Sequence, residues 1–236
     1  MNIKLHTSDS RGGGDFNWLK TRHSFSFGNY FDKNKMGFGV LRVLNDDWIA
    51  PGSGFPDHSH QDMEIFTIPL SGFLRHQDST NKESIITKGD IQIMSAGVGV
   101  THSEFNDSFT EPVELLQIWI APNVKHLAPR HEDRFFPYLE TKNILHTIIT
   151  PDGNNETLKI HQDAYVVLGT YTTETKVNYQ VHTPKHGIFL FVIEGDVLVD
   201  TTNLKRRDAV EITDTNEVSM TVSPESFILL IEVPLT

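Results

Sequence analysis

Short runs of β-branched and aromatic residues, punctuated by glycine and proline about every eight to twelve positions, constrain this chain more than any other feature. Residues 36–44 alternate large and small side chains. Residues 64–70, 91–94 and 115–120 are brief apolar or β-branched runs. Between them stand turn signals such as Pro51-Gly52-Ser53-Gly54, Ser71-Gly72, Lys88-Gly89-Asp90 and Asn106-Asp107-Ser108. That spacing indicates a sandwich or barrel and argues against β-α-β units. One helical segment is expected, over residues 14–20. Residues 123–137, rich in proline, histidine and charge, read as a linker crossing the surface.

Strand patterns resume at residue 158 and continue through 165–171, 188–193, 197–200 and 227–233. The two halves echo one another. Phe66-Thr67-Ile68-Pro69-Leu70-Ser71-Gly72-Phe73-Leu74 has the layout of Phe191-Val192-Ile193-Glu194-Gly195-Asp196-Val197-Leu198, each a strand, a glycine-centred turn and a strand. Lys88-Gly89-Asp90-Ile91 is echoed more loosely by Arg206-Arg207-Asp208-Ala209. The expected fold is all-β, two antiparallel β-barrels in tandem, with one domain over 1–135 and a second over 136–236.

Composition narrows the function. The chain has 20 Lys+Arg against 31 Asp+Glu, a formal charge of −11, which argues against binding a nucleic-acid backbone. The Lys205-Arg206-Arg207 cluster is too small to reverse this and reads as a solvated turn. No apolar run reaches the ~18 residues of a membrane span, and the N-terminus lacks a signal-peptide core, so a cytoplasmic monomer is expected. With 0 cysteines, any metal must sit on histidine and carboxylate.

Two short motifs supply that set: His58-Ser59-His60 and His102-Ser103-Glu104. Residues i and i+2 of a strand point to one face, so each motif offers two converging side chains and two facing strands offer four. A lone His-x-His is commonly a polar surface feature. A second pair on another strand, behind the glycine-rich Ala96-Gly97-Val98-Gly99, turns it into a candidate site. Three neutral imidazoles and one carboxylate suit a divalent first-row ion with positions left open. His76 is expected behind the ligands or at the surface, whereas His6, His23, His126, His131, His146 and His161 have no comparable partners. His182 and His186, four apart, read as turn or surface residues, and the second barrel as metal-free.

The run Gly52-x5-His58-x-His60-x3-Glu64-x7-Gly72 resembles the first cupin motif, and Gly89-x5-Ser95-x-Gly97 the start of the second. The cupin pattern places histidine three residues after that last glycine, whereas His102 lies five after it. Ala96-Gly97-Val98-Gly99-Val100-Thr101-His102-Ser103-Glu104 instead resembles the second motif of the pirin family. Trp18-Leu19-Lys20-x2-His23-Ser24-Phe25-Ser26-Phe27, Leu41-Arg42-Val43-Leu44-Asn45 and Glu114-Leu115-Leu116-Gln117-Ile118-Trp119-Ile120-Ala121-Pro122 are also pirin-like. The dense resemblance covers residues 14–135. His60-Gln61-Asp62-Met63-Glu64-Ile65 is similar to the bacterial quercetinase-like branch more than to the animal one.

The resemblance implies a bicupin holding one divalent transition metal, iron first, with nickel, manganese, copper, cobalt or zinc as alternatives. Its ligands would be His58, His60, His102 and Glu104. Glu64, the cupin-motif glutamate, would either support the site structurally or hydrogen-bond a ligand imidazole and fix its tautomer, unless both carboxylates ligate. The implied activity is a quercetin 2,3-dioxygenase: a flavonol binds through its 3-hydroxyl, O2 adds, the central ring opens and carbon monoxide leaves, with Glu104 as base. Phe25, Phe27, Phe38 and Phe55 are candidates for an apolar wall, with at least half of them expected in the core. The competing implication, from animal pirins, is a redox-sensing co-regulator that acts by contacting another protein.

Overall fold

The computed structural model describes residues 1–154 and 156–235, and alternating side chains form strands along nearly all of them. The first half contains β1 (Asn2–His6), β2 (Gly12–Asp15), β3 (Leu19–His23), β4 (Leu41–Ile49), β5 (Gly54–His60), β6 (Glu64–Ser71), β7 (Phe73–Asp78), β8 (Glu83–Thr87), β9 (Asp90–Ser95), β10 (Val100–Asn106), β11 (Val113–Ile120) and β12 (Arg130–Phe135). The second contains β13 (Ile144–Thr150), β14 (Leu158–Lys159), β15 (Tyr165–Tyr171), β16 (Thr175–Gln180), β17 (His186–Glu194), β18 (Val197–Val199), β19 (Thr202–Leu204), β20 (Ala209–Thr213), β21 (Glu217–Val222) and β22 (Ser226–Pro234).

Each half is a pair of packed sheets in a jelly-roll-like arrangement rather than a closed barrel. The order β12-β9-β6-β11-β4-β3-β2 packs on β5-β10-β7-β8, and β1-β20-β17-β22-β15-β13-β14 on β16-β21-β18-β19. The first strand of the chain therefore completes the large sheet of the second half, pairing Asn2 with Thr213 through His6 with Ala209.

Two local expectations are corrected. No helix forms over residues 14–20. The three glycines from Gly12 to Gly14 carry no helical preference, Asn17 turns the chain with φ 67, and Gly14 pairs with Thr21 in a β2–β3 hairpin. Nor is 123–137 a linker throughout, because Arg130–Phe135 pairs with β9. As an edge strand it carries charge on both faces, and that hides its alternation.

The two large sheets pack against each other, and the largest core lies between the halves. There Leu44, Phe66, Ile68, Leu116 and Ile118 meet Leu168, Phe189, Phe191, Leu229 and Ile231. The unbroken run at 188–193 follows from this, since β17 is buried on both faces. Phe189 and Phe191 face the other half, while Ile188, Leu190 and Val192 fill the interior of their own. The junction is also ionic. Asp46 lies 3.1 Å from Arg11 and 3.3 Å from Arg207, so Arg207 is buried in the contact and is not part of a solvated turn.

The two interiors differ in chemistry. That of the second half is apolar, from Val167 and Ile188 to Met220 and Leu230. In the first half the strand register runs a polar row across the large sheet: His23 opposite Asn45, Asn45 opposite Gln117, Gln117 opposite Thr67, and Thr67 opposite Gln92. All five are buried. Directly paired residues share a face, so these side chains line one interior. Polar residues at inward strand positions are costly unless something occupies the space they face. Among the described residues, no helix is long and apolar enough to cross a membrane.

Candidate metal centre

β5 and β10 are neighbouring antiparallel strands of the small sheet, so the two motifs meet across one ladder. His102 pairs directly with His58, and Val100 with His60. The i, i+2 geometry then places His58 and His60 on one face with His102 beside them. Ring centroids are 4.3 Å apart for His58 and His102, 4.8 Å for His58 and His60, and 4.9 Å for His60 and His102. Each ring offers a nitrogen within 4.8 Å of the other two.

The backbone permits this approach at two glycines. Gly54 lies so close to Glu104 and Phe105 across the ladder that a Cβ there would strike their backbone. Gly97, at φ +48, turns the chain into β10 where a side chain would collide with the Leu127 carbonyl. A register shift between His102 and Glu104 marks a bulge, and it re-aims the glutamate.

The donor set fits a cation. His58 Nδ1 donates to the Pro56 carbonyl at 2.8 Å, which leaves the Nε2 lone pair free. Nε2 of His60 and of His102 are buried without a hydrogen-bond partner. Burial, with His58 nearby, lowers the His60 pKa to about 4, and burial among neighbouring imidazoles lowers that of His102 further. Neutral, unpaired imidazoles converging in a cleft are what a divalent ion requires.

Glu104 lines the same cavity but falls outside the group of three mutually close imidazoles. Both its oxygens accept from Gln117 Nε2, at 3.1 and 2.9 Å. Burial raises its pKa, against the pull of that bond and of His58. Glu64 does not hydrogen-bond any of the three imidazoles, so of the parts expected for it the structural one fits. It is buried and accepts from Ser95 Oγ at 2.9 Å and from the His161 backbone N–H at 3.1 Å. It ties β6 and β9 to the second half, so His161 too has a partner.

A second constellation lies behind the first. His76 Nε2 is 3.0 Å from His102 Nδ1, and one nitrogen or oxygen from each of His76, Asp78 and His131 lies within 4.8 Å of the others. His131 Nδ1 is 3.2 Å from Asp78 Oδ2, and Asp78 Oδ1 accepts from the Thr80 N–H at 2.8 Å. The signal for His131 in the sequence was its alternation with Asp133, hidden in the apparent linker.

The cavity, of about 220 Å³, is walled by Phe27, Phe55, Ile65 and Trp119 around the three histidines and Glu104. Of the four candidate phenylalanines, Phe27 and Phe55 line it, whereas Phe25 and Phe38 are buried in the core between the halves. In the second half His182 is exposed in the turn before β17, as expected, whereas His186 is buried. Their Nδ1 atoms lie 2.9 and 3.1 Å from Glu232, which also accepts from Tyr179 OH at 2.7 Å and is fully buried. Its acceptor capacity is taken up by these protein donors.

Jelly-roll halves in tandem, the first enclosing a polar cavity lined by three imidazoles, define a bicupin. Residues 4–120 match the family model Pirin, and residues 147–233 match that of the quercetinase C-terminal cupin domain. The chain belongs to the pirin family. It is 37% identical over 232 residues to a quercetin 2,3-dioxygenase of Escherichia coli K12, covering 98% of this chain and 99% of that one. It is 36% identical over 225 residues to a pirin-like protein of Caulobacter vibrioides, covering 95% and 96%. The crystal structure of the Escherichia coli bacterial pirin YhhW in complex with nickel(II) superposes with a TM-score of 0.94 at 36% identity over 100% of both chains.

Proposed function

We propose that this protein is a metal-dependent dioxygenase of the quercetin 2,3-dioxygenase type, opening the central ring of a flavonol with O2 and releasing carbon monoxide. The observation that carries the reading is the convergence of His58, His60 and His102, two of them with orphaned Nε2 atoms, on a cavity with aromatic walls. The names of the Escherichia coli relatives support both the reaction class and a divalent first-row ion. His58, His60, His102 and Glu104 would hold the ion; iron and nickel both suit this donor set.

A bound divalent ion supplies a Lewis acid that lowers the pKa of a coordinated hydroxyl and, if redox-capable, links an electron-rich ligand to dioxygen. The protein contributes the rest. A Glu104 carboxylate oxygen takes the proton of the flavonol 3-hydroxyl, and burial strengthens it as a base. Gln117 Nε2 fixes the plane of that carboxylate. Phe27, Phe55 and Trp119 flank flat rings and keep water from the reacting carbons.

The test is direct. Metal-loaded protein should bleach the near-visible absorption of quercetin while consuming O2 and releasing carbon monoxide. Chelation, removal of oxygen, or His58→Ala should each stop it. Bleaching that survives His58→Ala is autoxidation by free metal, and no bleaching with any first-row ion overturns the reading in favour of a non-catalytic co-regulator.

A further inference from the structure

The metal-facing cavity, at about 220 Å³, lies below the ~300 Å³ at the small end of ligand pockets, so it is short of room for a three-ring molecule. A second cavity of about 360 Å³ adjoins it, and the two share Phe27, Asn45, Asp47 and Phe55 as walls. Strand register sets a polar patch there. Thr21 lies opposite Asp47, and His23 opposite Asn45, all four buried on the inner face of the large sheet.

Three of these side chains carry a buried polar atom with no partner: His23 Nδ1, Asn45 Oδ1 and Asp47 Oδ1. Buried polar groups are nearly always paired, so three orphans on one cavity wall indicate water or a ligand. Phe16, Leu19, Phe27 and Phe55 give the cavity most of its apolar surface, and Asn29 and Tyr30 line it too. Oxygen acceptors in a largely apolar, aromatic-walled slot suit hydroxyl donors on a flat ring. An anionic ligand fits poorly. Burial lowers the His23 pKa to about 4, leaving a neutral imidazole, and Asp47, raised by burial to about 7, resists an added anion.

We propose that this second cavity is a subsite for a hydroxyl-bearing aromatic ring of the substrate, held by Asn45, Asp47 and His23 while the reacting ring occupies the metal-facing cavity. The proposal rests on the flavonol reading above and adds to it the residues that select among flavonols.

The experiment compares quercetin with 3-hydroxyflavone, which keeps the reacting hydroxyl and ketone but has no hydroxyls on its outer rings. In Asn45→Leu and His23→Phe proteins, the ratio of kcat/KM for quercetin to that for 3-hydroxyflavone should fall at least tenfold relative to the unaltered protein, chiefly through KM. An unchanged ratio with both compounds turned over overturns the subsite and leaves the dioxygenase reading intact. If neither flavonol is turned over, that reading fails and a second arm decides the subsite. Zinc-loaded unaltered protein is titrated with resorcinol, a dihydroxybenzene that does not chelate, and followed by amide NMR. Saturable shifts centred on residues 21–23 and 45–47, absent with toluene, uphold the subsite. No saturable binding, or equal shifts with toluene, overturns it, and this arm needs no variant to fold.

Discussion

Gln117 Nε2 donates to both oxygens of Glu104, at 3.1 and 2.9 Å, while Gln117 Oε1 accepts from Thr67 Oγ1 at 3.2 Å. The amide is thereby locked in one orientation and the carboxylate is held edge-on to it. Gln117→Glu would set two carboxylates against each other, whereas Gln117→Leu removes the donor to Glu104 along with the acceptor for Thr67 without adding a charge. Metal affinity should drop by about 10–100-fold in Gln117→Leu, the range expected for groups that orient a ligand. Glu104→Gln should cost more, because it removes the anionic ligand and the base together. Calorimetric titration of the metal-free proteins checks the order; a larger loss for Gln117→Leu contradicts the role given to Glu104.

His76 should fix the tautomer of His102. If His102 keeps Nε2 for the metal, its Nδ1 carries the proton and donates to His76 Nε2 across 3.0 Å. His76→Phe should weaken metal binding by about 10–100-fold, and His76→Gln, whose side-chain oxygen can accept the same bond, should recover part of it. In cobalt-loaded protein, the exchangeable N–H resonance of His102 should be retained in His76→Gln and lost to solvent exchange in His76→Phe. Equal affinity in all three proteins contradicts the assignment.

Much of this was legible in the sequence, and the parts that were not share a cause. Spacing of turns and apolar runs indicated the all-β tandem, and the two His-containing motifs marked the imidazole cluster. Partners contributed from distant strands stayed hidden. Nothing near residue 64 says that Glu64 reaches His161 instead of a ligand, since those residues meet only when the halves dock. The inward direction of Asn45, Asp47 and Gln117 depends on register, which local composition does not fix. The burial of His186, and its sharing of Glu232 with the exposed His182, stayed hidden because Glu232 is some fifty positions away.

Acid should destabilise the metal-free protein. Burial lowers the pKa values of His23, His60 and His76 from 6.5 to about 4, and that of His102 further. Between about pH 6.5 and pH 4 these four groups bind protons in the unfolded chain but not in the folded one, so stability rises with pH across that window. Asp47, raised to about 7, and Glu104, also raised, act in the opposite sense, but they are two against four. Each net proton is worth about 1.4 kcal/mol per pH unit. The urea midpoint should therefore be lower at pH 5 than at pH 7; an equal or higher midpoint at pH 5 contradicts the neutral, buried state of the imidazoles.

Asp46 should matter for holding the halves together. It faces the largely buried guanidinium groups of Arg11 and Arg207, at 3.1 and 3.3 Å. Asp46→Asn leaves two cations without their shared counter-ion and should cost about 3 kcal/mol, at the low end for breaking a buried pair. A thermal or urea unfolding curve within about 0.5 kcal/mol of the unaltered protein would show the junction to be held by its apolar core alone.

The most direct test of the account is to titrate metal-free protein with one first-row ion and read oxygen uptake and carbon monoxide release with quercetin at each step. Both rates should climb in proportion to bound metal and level off at one equivalent per chain, and His102→Ala should remove both that equivalent and the gas. Activity that continues to rise toward a second equivalent, or carbon monoxide released in full by the His102→Ala protein, would contradict a single centre built on His58, His60, His102 and Glu104.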